Sequence, residues 1–116
     1  MKMFIMALLA GAINVTATVY NALKGQTNDD NLHTASMKVI DPDAAGSHRW
    51  IAVSRDLEEL GFVFGVEVCV EGAGEMNGVW TIEDRMNRRF TKRIDFLVDN
   101  DIKLGRWDYA RIRIEK

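Results

Sequence analysis

The chain has 116 residues, 47% hydrophobic and 28% charged, with a formal net charge of −2, which suits one domain with one core and leaves no room for two. That balance gives no electrostatic reason to expect nucleic acid or an anionic membrane surface as a partner. The single cysteine, Cys69, excludes an internal disulfide or a thiol-only metal cluster within one chain, and with Glu67 and Glu71 on its own face it is a poor candidate nucleophile.

Met1 to Ala12 reads MKMFIMALLAGA: one Lys, an apolar run from Met3 to Ala10, then Ala10-Gly11-Ala12. The pattern resembles a secretory signal with a small-residue cleavage site, and it is too short to span a bilayer as a helix. The alternative is a buried N-terminal element of the mature fold. The expectation is an exported protein, without stable membrane insertion, whose residues 13–116 form a single domain.

From Ile13 the chain alternates, with Ile13, Val15, Ala17 and Val19 on one side and Asn14, Thr16, Thr18 and Tyr20 on the other, the period of a half-buried strand. Asn21 to His48 is rich in Asn, Asp, Gly, Ser and Thr and holds the only proline, Pro42, so it predicts long surface loops with a short strand from Met37 to Ile40. Arg49 to Val53 predicts a strand. Ser54 is then placed to cap a helix of about two turns over Arg55 to Leu60, with Asp56 in its first turn and Gly61 past its end. Further strands are predicted at Val66–Val70, Gly78–Asp84, Arg93–Val98 and Tyr109–Ile114, with a tight Gly-rich hairpin around Gly72, Gly74 and Asn77-Gly78 and a short helix or turn ending at Gly105. Six or seven short strands with short helices and no βαβ rhythm predict a mainly β fold, a small closed or nearly closed barrel of largely antiparallel character.

His33 and His48 are the only histidines and lack the spacing of a metal site. No Gly-x-Ser-x-Gly and no phosphate-binding Gly-rich loop is present, so no metal and no cofactor are expected. Carboxylates remain. Asp84 closes the apolar run of its strand on the face of Trp80 and Ile82, whereas Asp95 lies opposite Ile94, Phe96 and Val98. Brought to one mouth of a barrel, two such acids repel, and one is held protonated as a general acid for glycosidic bond cleavage. The alternative is a pair of surface salt bridges. The basic cluster Arg85, Arg88, Arg89, Lys92 and Arg93 is either an anion site or a solvated turn. Trp50 and Trp80 read as core, and Trp107, in a predicted loop beside Arg106 and Asp108, reads as a ligand contact.

The stretch TIEDRMNRRFTKRIDFLV resembles the signature of double-psi β-barrel domains of bacterial cell-wall proteins, with Asp84-Arg85 and Arg93-Ile94-Asp95-Phe96 falling on its two pieces. His33 to Met37 (HTASM) and IAVSRDLEELGFVFGVEVCVEG resemble segments of rare lipoprotein A and of the domains named for three aspartates, and IKLGRWDYARIRI resembles their closing strand. This resemblance implies a six-stranded double-psi barrel acting on peptidoglycan glycan strands as a lytic transglycosylase, related to the barrels of membrane-bound lytic transglycosylases and plant expansins. It implies Asp95 as general acid/base, Asp84 as the acid that stabilises charge and Tyr20 as an aromatic near the groove; His33 and Asp56, as stand-ins for missing helpers, and Arg85, Asn87 and Trp107 complete the candidate substrate contacts. Lys38 and Ser54 stand where these relatives carry Glu and His or Asp. Those departures point to the alternative, a bacterial or phage cell-wall barrel that binds glycan without cutting it.

Overall fold

The computed structural model describes residues 11–22 and 32–115, so residues 1–10 of the expected signal segment at 1–12 lie outside the described residues. Six strands, β1 (Ile13–Asn21), β2 (Trp50–Val53), β3 (Glu67–Glu71), β4 (Gly78–Arg85), β5 (Arg93–Val98) and β6 (Arg106–Ile114), run in the order β1-β5-β2-β4-β3-β6 and close into a barrel. The β1–β5 and β2–β4 pairs are parallel and the other four antiparallel, so the barrel is mixed and has no open edge.

The alternating strands send one row inward. Val15, Ala17, Ile51, Val53, Val68, Val70, Trp80, Ile82, Ile94, Phe96, Ala110 and Ile112 form the core, each removing apolar surface from water at about 25 cal/mol per Å². Trp80 and Phe96 lie 4.7 Å apart at its centre, and the Trp80 indole N–H donates to the Met76 carbonyl at 2.7 Å. A second, smaller cluster of Ala22, Ile40, Ala45 and Leu97 sits on the outside of the barrel, with Tyr20, Leu32 and Trp50 packed against it. Through it the segment from Leu32 to His48 docks on the outer face of β1, β2 and β5.

Two β-bulges break the alternation. On β4, Ile51 pairs with Ile82 but its neighbour Ala52 pairs with Asp84, so Glu83 is an inserted residue. On β6, Val15 pairs with Ala110 but Ala17 pairs with Trp107, which leaves one extra residue at Asp108–Tyr109. Each bulge turns the side chains beyond it to the other face.

Several local expectations change. Met37 to Ile40 is no strand; only an isolated bridge joins His33 to Val39, and Met37 sits at φ 75°, outside the extended region a strand requires. Helix α1 spans only Arg55–Glu58. Ser54 occupies its N-cap position, yet its hydroxyl makes no cap bond and instead accepts the Arg93 N–H at 3.0 Å. The β3–β4 connection is a longer loop with a 3-10 turn at Gly74–Met76, and Gly72 is required there because a Cβ at its φ of 78° would stand 2.8 Å from the Tyr109 carbonyl.

Candidate active site

Asp84 does not end the core-facing row, as strict alternation from Trp80 and Ile82 predicts. The Glu83 bulge rotates it onto the outer face, where Ala52 is paired with Asp84 on one side and Asp95 on the other, and Asp95 in turn pairs with Thr18. One row therefore crosses four strands as Asp84, Ala52, Asp95, Thr18. Two strand spacings, about 10 Å of backbone, separate the two acids, and small Ala52 leaves the space between them open. Both line a single cleft of about 290 Å³ with Tyr20, Ala52, Arg85, Met86, Asn87 and Phe90.

Glu83, the bulge residue, is buried at 5% exposure. Its carboxylate accepts the Ser36 hydroxyl at 2.7 Å and its carbonyl accepts the Ser36 N–H at 3.1 Å. Ser36 is held in turn by Thr34, whose hydroxyl lies 2.9 Å from its own. The same loop delivers the Ala35 N–H to Asp84 Oδ1 at 2.9 Å. That oxygen also accepts the Arg85 N–H at 2.9 Å, and Oδ2 accepts the Tyr20 hydroxyl at 2.9 Å. Three donors thus fix Asp84 in one orientation.

Asp95 differs. Burial raises its carboxyl above the ordinary aspartate value; the Thr18 hydroxyl that donates to it and the nearby Arg93 charge pull the other way, and the Asp84 charge adds to the rise. Tyr20 is pushed well above the usual tyrosine value, first by burial, then by the charge and hydrogen bond of Asp84 and by the Asp95 charge, so it stays a proton donor at neutral pH. The row pairs an acid inclined to keep its proton with a second carboxyl fixed as an acceptor, an arrangement suited to general acid catalysis.

Of the residues expected to contact substrate, Tyr20, Arg85 and Asn87 line this cleft. Arg85 is turned to Glu58 through two bonds at 2.6 and 3.0 Å, and Asn87 Oδ1 accepts the Arg89 N–H at 3.0 Å. His33, Asp56 and Trp107 are not brought to it. His33 sits in the bridge to Val39. Asp56 accepts the Lys92 N–H; burial acts to raise it but is outweighed by hydrogen bonds from Ser54 and from the Lys92, Asp56 and Leu57 backbones, and the net shift is downward. Trp107 belongs to β6 rather than a loop, and the bulge turns it into the barrel, edge-on to Phe96 at 5.8 Å. Ser54 is fully buried and its hydroxyl is taken up by the Arg93 N–H and the Asp56 carboxyl, so no substrate reaches that position.

Thr18, Ala52, Met86 and Phe90 were not singled out as site residues. Thr18 was detectable: it sits two residues before Tyr20 on the polar face of β1. Among the described residues, no three His, Cys, Asp or Glu side chains gather as a metal site requires, and no helix is long and apolar enough to cross a membrane. No protein-family model matches the chain, and neither does any curated protein.

Proposed function

We propose that the chain is an exported double-psi barrel that cleaves peptidoglycan glycan strands without water, as lytic transglycosylases do. The observation that carries the reading is the convergence of Asp84 and Asp95 on one cleft with Asp95 held toward its protonated form. The two parallel pairs, β1–β5 and β2–β4, inside a closed six-stranded barrel also agree with the resemblance of the Asp84–Phe96 stretch to that family.

In this reading Asp95 gives its proton to the glycosidic oxygen as the bond from that oxygen to the anomeric carbon breaks. The fixed Asp84 carboxyl faces the positive charge that develops at the anomeric carbon, stabilising it without reorganising. The oxygen of the sugar's own 6-hydroxyl then bonds to that carbon, and its proton returns to Asp95. Every proton and electron pair is conserved and the product carries an anhydro ring. Thr18 orients Asp95 and Tyr20 orients Asp84.

The test is release of soluble fragments from purified cell wall by the wild-type chain and by Asp95→Asn. Release by the wild type and its loss in the variant supports the enzyme. Equal sedimentation of both proteins with insoluble wall, with no release by either, replaces it with a glycan-binding barrel.

A further inference from the structure

The connection between β4 and β5, MNRRFTK, carries a concentration of positive charge that the catalytic row does not use. Arg88, Arg89 and Lys92 are exposed, and with Arg93 they make no ion pair among the described residues, while Arg85 beside them is occupied by Glu58. Phe90, which lines the cleft, is flanked by two guanidinium groups, Arg89 at 4.8 Å and Arg93 at 4.5 Å from its ring. The Arg93 Nε is buried without a hydrogen-bond partner, so its guanidinium is not consumed by neighbouring acceptors at that atom.

The loop is fastened rather than loose. The Met86 N–H donates to the Val53 carbonyl at 2.9 Å and the Phe90 N–H to the Asn87 carbonyl at 3.1 Å. The Lys92 N–H, at a left-handed φ of 47°, is caught by both oxygens of Asp56 at 3.2 and 3.0 Å. These bonds fix the backbone of the loop that carries the cations, and the Phe90 contacts place Arg89 and Arg93 beside the cleft.

Asp84 and Asp95 line the cleft while Arg89 and Arg93 stack on Phe90 at its edge, and this arrangement constrains the ligand. A polymer with a negative charge on every unit would set like charge against Asp84. A chain that is uncharged where it lies in the cleft and carries anionic side groups where it crosses the rim meets complementary charge at both places. We infer that Arg89 and Arg93, stacked on Phe90, together with Arg88 and Lys92 of the same loop, form a binding site for carboxylates borne on side groups of the strand in the cleft, the peptide stems of a glycan. This deepens the glycan reading and rests on it.

The experiment titrates the full chain, followed by backbone amide NMR, with four probes: a soluble glycan fragment with its peptide stems, the same fragment stripped of them, the free stem peptide, and a phosphodiester polymer. The titration is repeated with the double variant Arg88→Gln/Arg89→Gln, whose exposed positions leave the core untouched. The expected result is that the double variant binds the stem-bearing fragment roughly tenfold more weakly, that the loss shrinks at high salt, and that the stripped fragment is unaffected. Equal affinity for the stem-bearing and stripped fragments, unchanged binding by the double variant, or tighter binding of the phosphodiester polymer overturns the site. Binding of the free stem peptide that the double variant loses, without any binding of stripped glycan, sustains the carboxylate site while removing the glycan from the cleft.

Discussion

Glu83 is the residue on which the placement of Asp84 depends, and Glu83→Ala isolates its contribution. The substitution removes the buried carboxylate that accepts the Ser36 hydroxyl at 2.7 Å, and a hydrogen bond to a charged group is worth about 1.5–3 kcal/mol. At roughly 4 °C per kcal/mol for a domain of this size, the melting temperature falls by ~6–12 °C. Glu83→Gln keeps an acceptor at the same place and loses about half as much, because a neutral bond is about half as strong as a charge-assisted one. The 34–36 loop also brings the Ala35 N–H to Asp84, so under the proposed function wall degradation by Glu83→Ala falls by more than its unfolded fraction accounts for. Thermal unfolding followed by circular dichroism, with activity measured well below the transition, reads both effects. A Glu83→Ala protein as stable and as active as wild type refutes the claim that the buried carboxylate anchors the bulge.

Asp95 is raised chiefly by burial, so the stability linked to its protonated form is complete below the ordinary aspartate range and is lost as pH rises through its folded value; Asp95→Asn therefore gains on wild type in urea unfolding as pH rises from the ordinary aspartate range through that raised value, and the gain levels off above it. Asp56 shifts the other way because its hydrogen bonds outweigh its burial. Its contribution is present above the ordinary aspartate range and lost as pH falls through the lowered value, so Asp56→Asn is destabilised at neutral pH and converges on wild type in acid. Phe96→Ala, at the contact between Trp80 and Trp107, costs about 3–5 kcal/mol in the same unfolding assay.

The strands were legible because their apolar residues alternate and their β-branched content is high: Ile13–Val19 and Ile94–Val98 point where period two sends them. The same rule misplaced Asp84, and it could not have placed Trp107, expected in a loop before the last strand, even with that strand extended to Arg106. An inserted bulge residue leaves no mark in the hydrophobic pattern, yet it exchanges inside and outside for everything beyond it. Counting back from Ala110 by twos puts Trp107 outside; the extra residue at Asp108–Tyr109 puts it beside Phe96. Counting forward from Trp80 sends Asp84 inward; Glu83 sends it out to meet Asp95. The pair was therefore identified from residue type and resemblance, while its meeting on one face was not deducible. The Leu32–His48 segment was unreadable for a different reason: it is fixed by single side-chain bonds, such as Ser36 to Glu83 and the Asp41 N–H to the His48 ring at 3.0 Å, rather than by any periodic pattern.

The most direct test of the acid-pair account is digestion of purified glycan strands in water enriched in the heavy oxygen isotope, with the products weighed by mass spectrometry. The account predicts fragments ending in anhydro sugars that take up no heavy oxygen, and their disappearance with Asp95→Asn. Heavy oxygen at new reducing ends, or strands left uncut at high protein concentration, contradicts it.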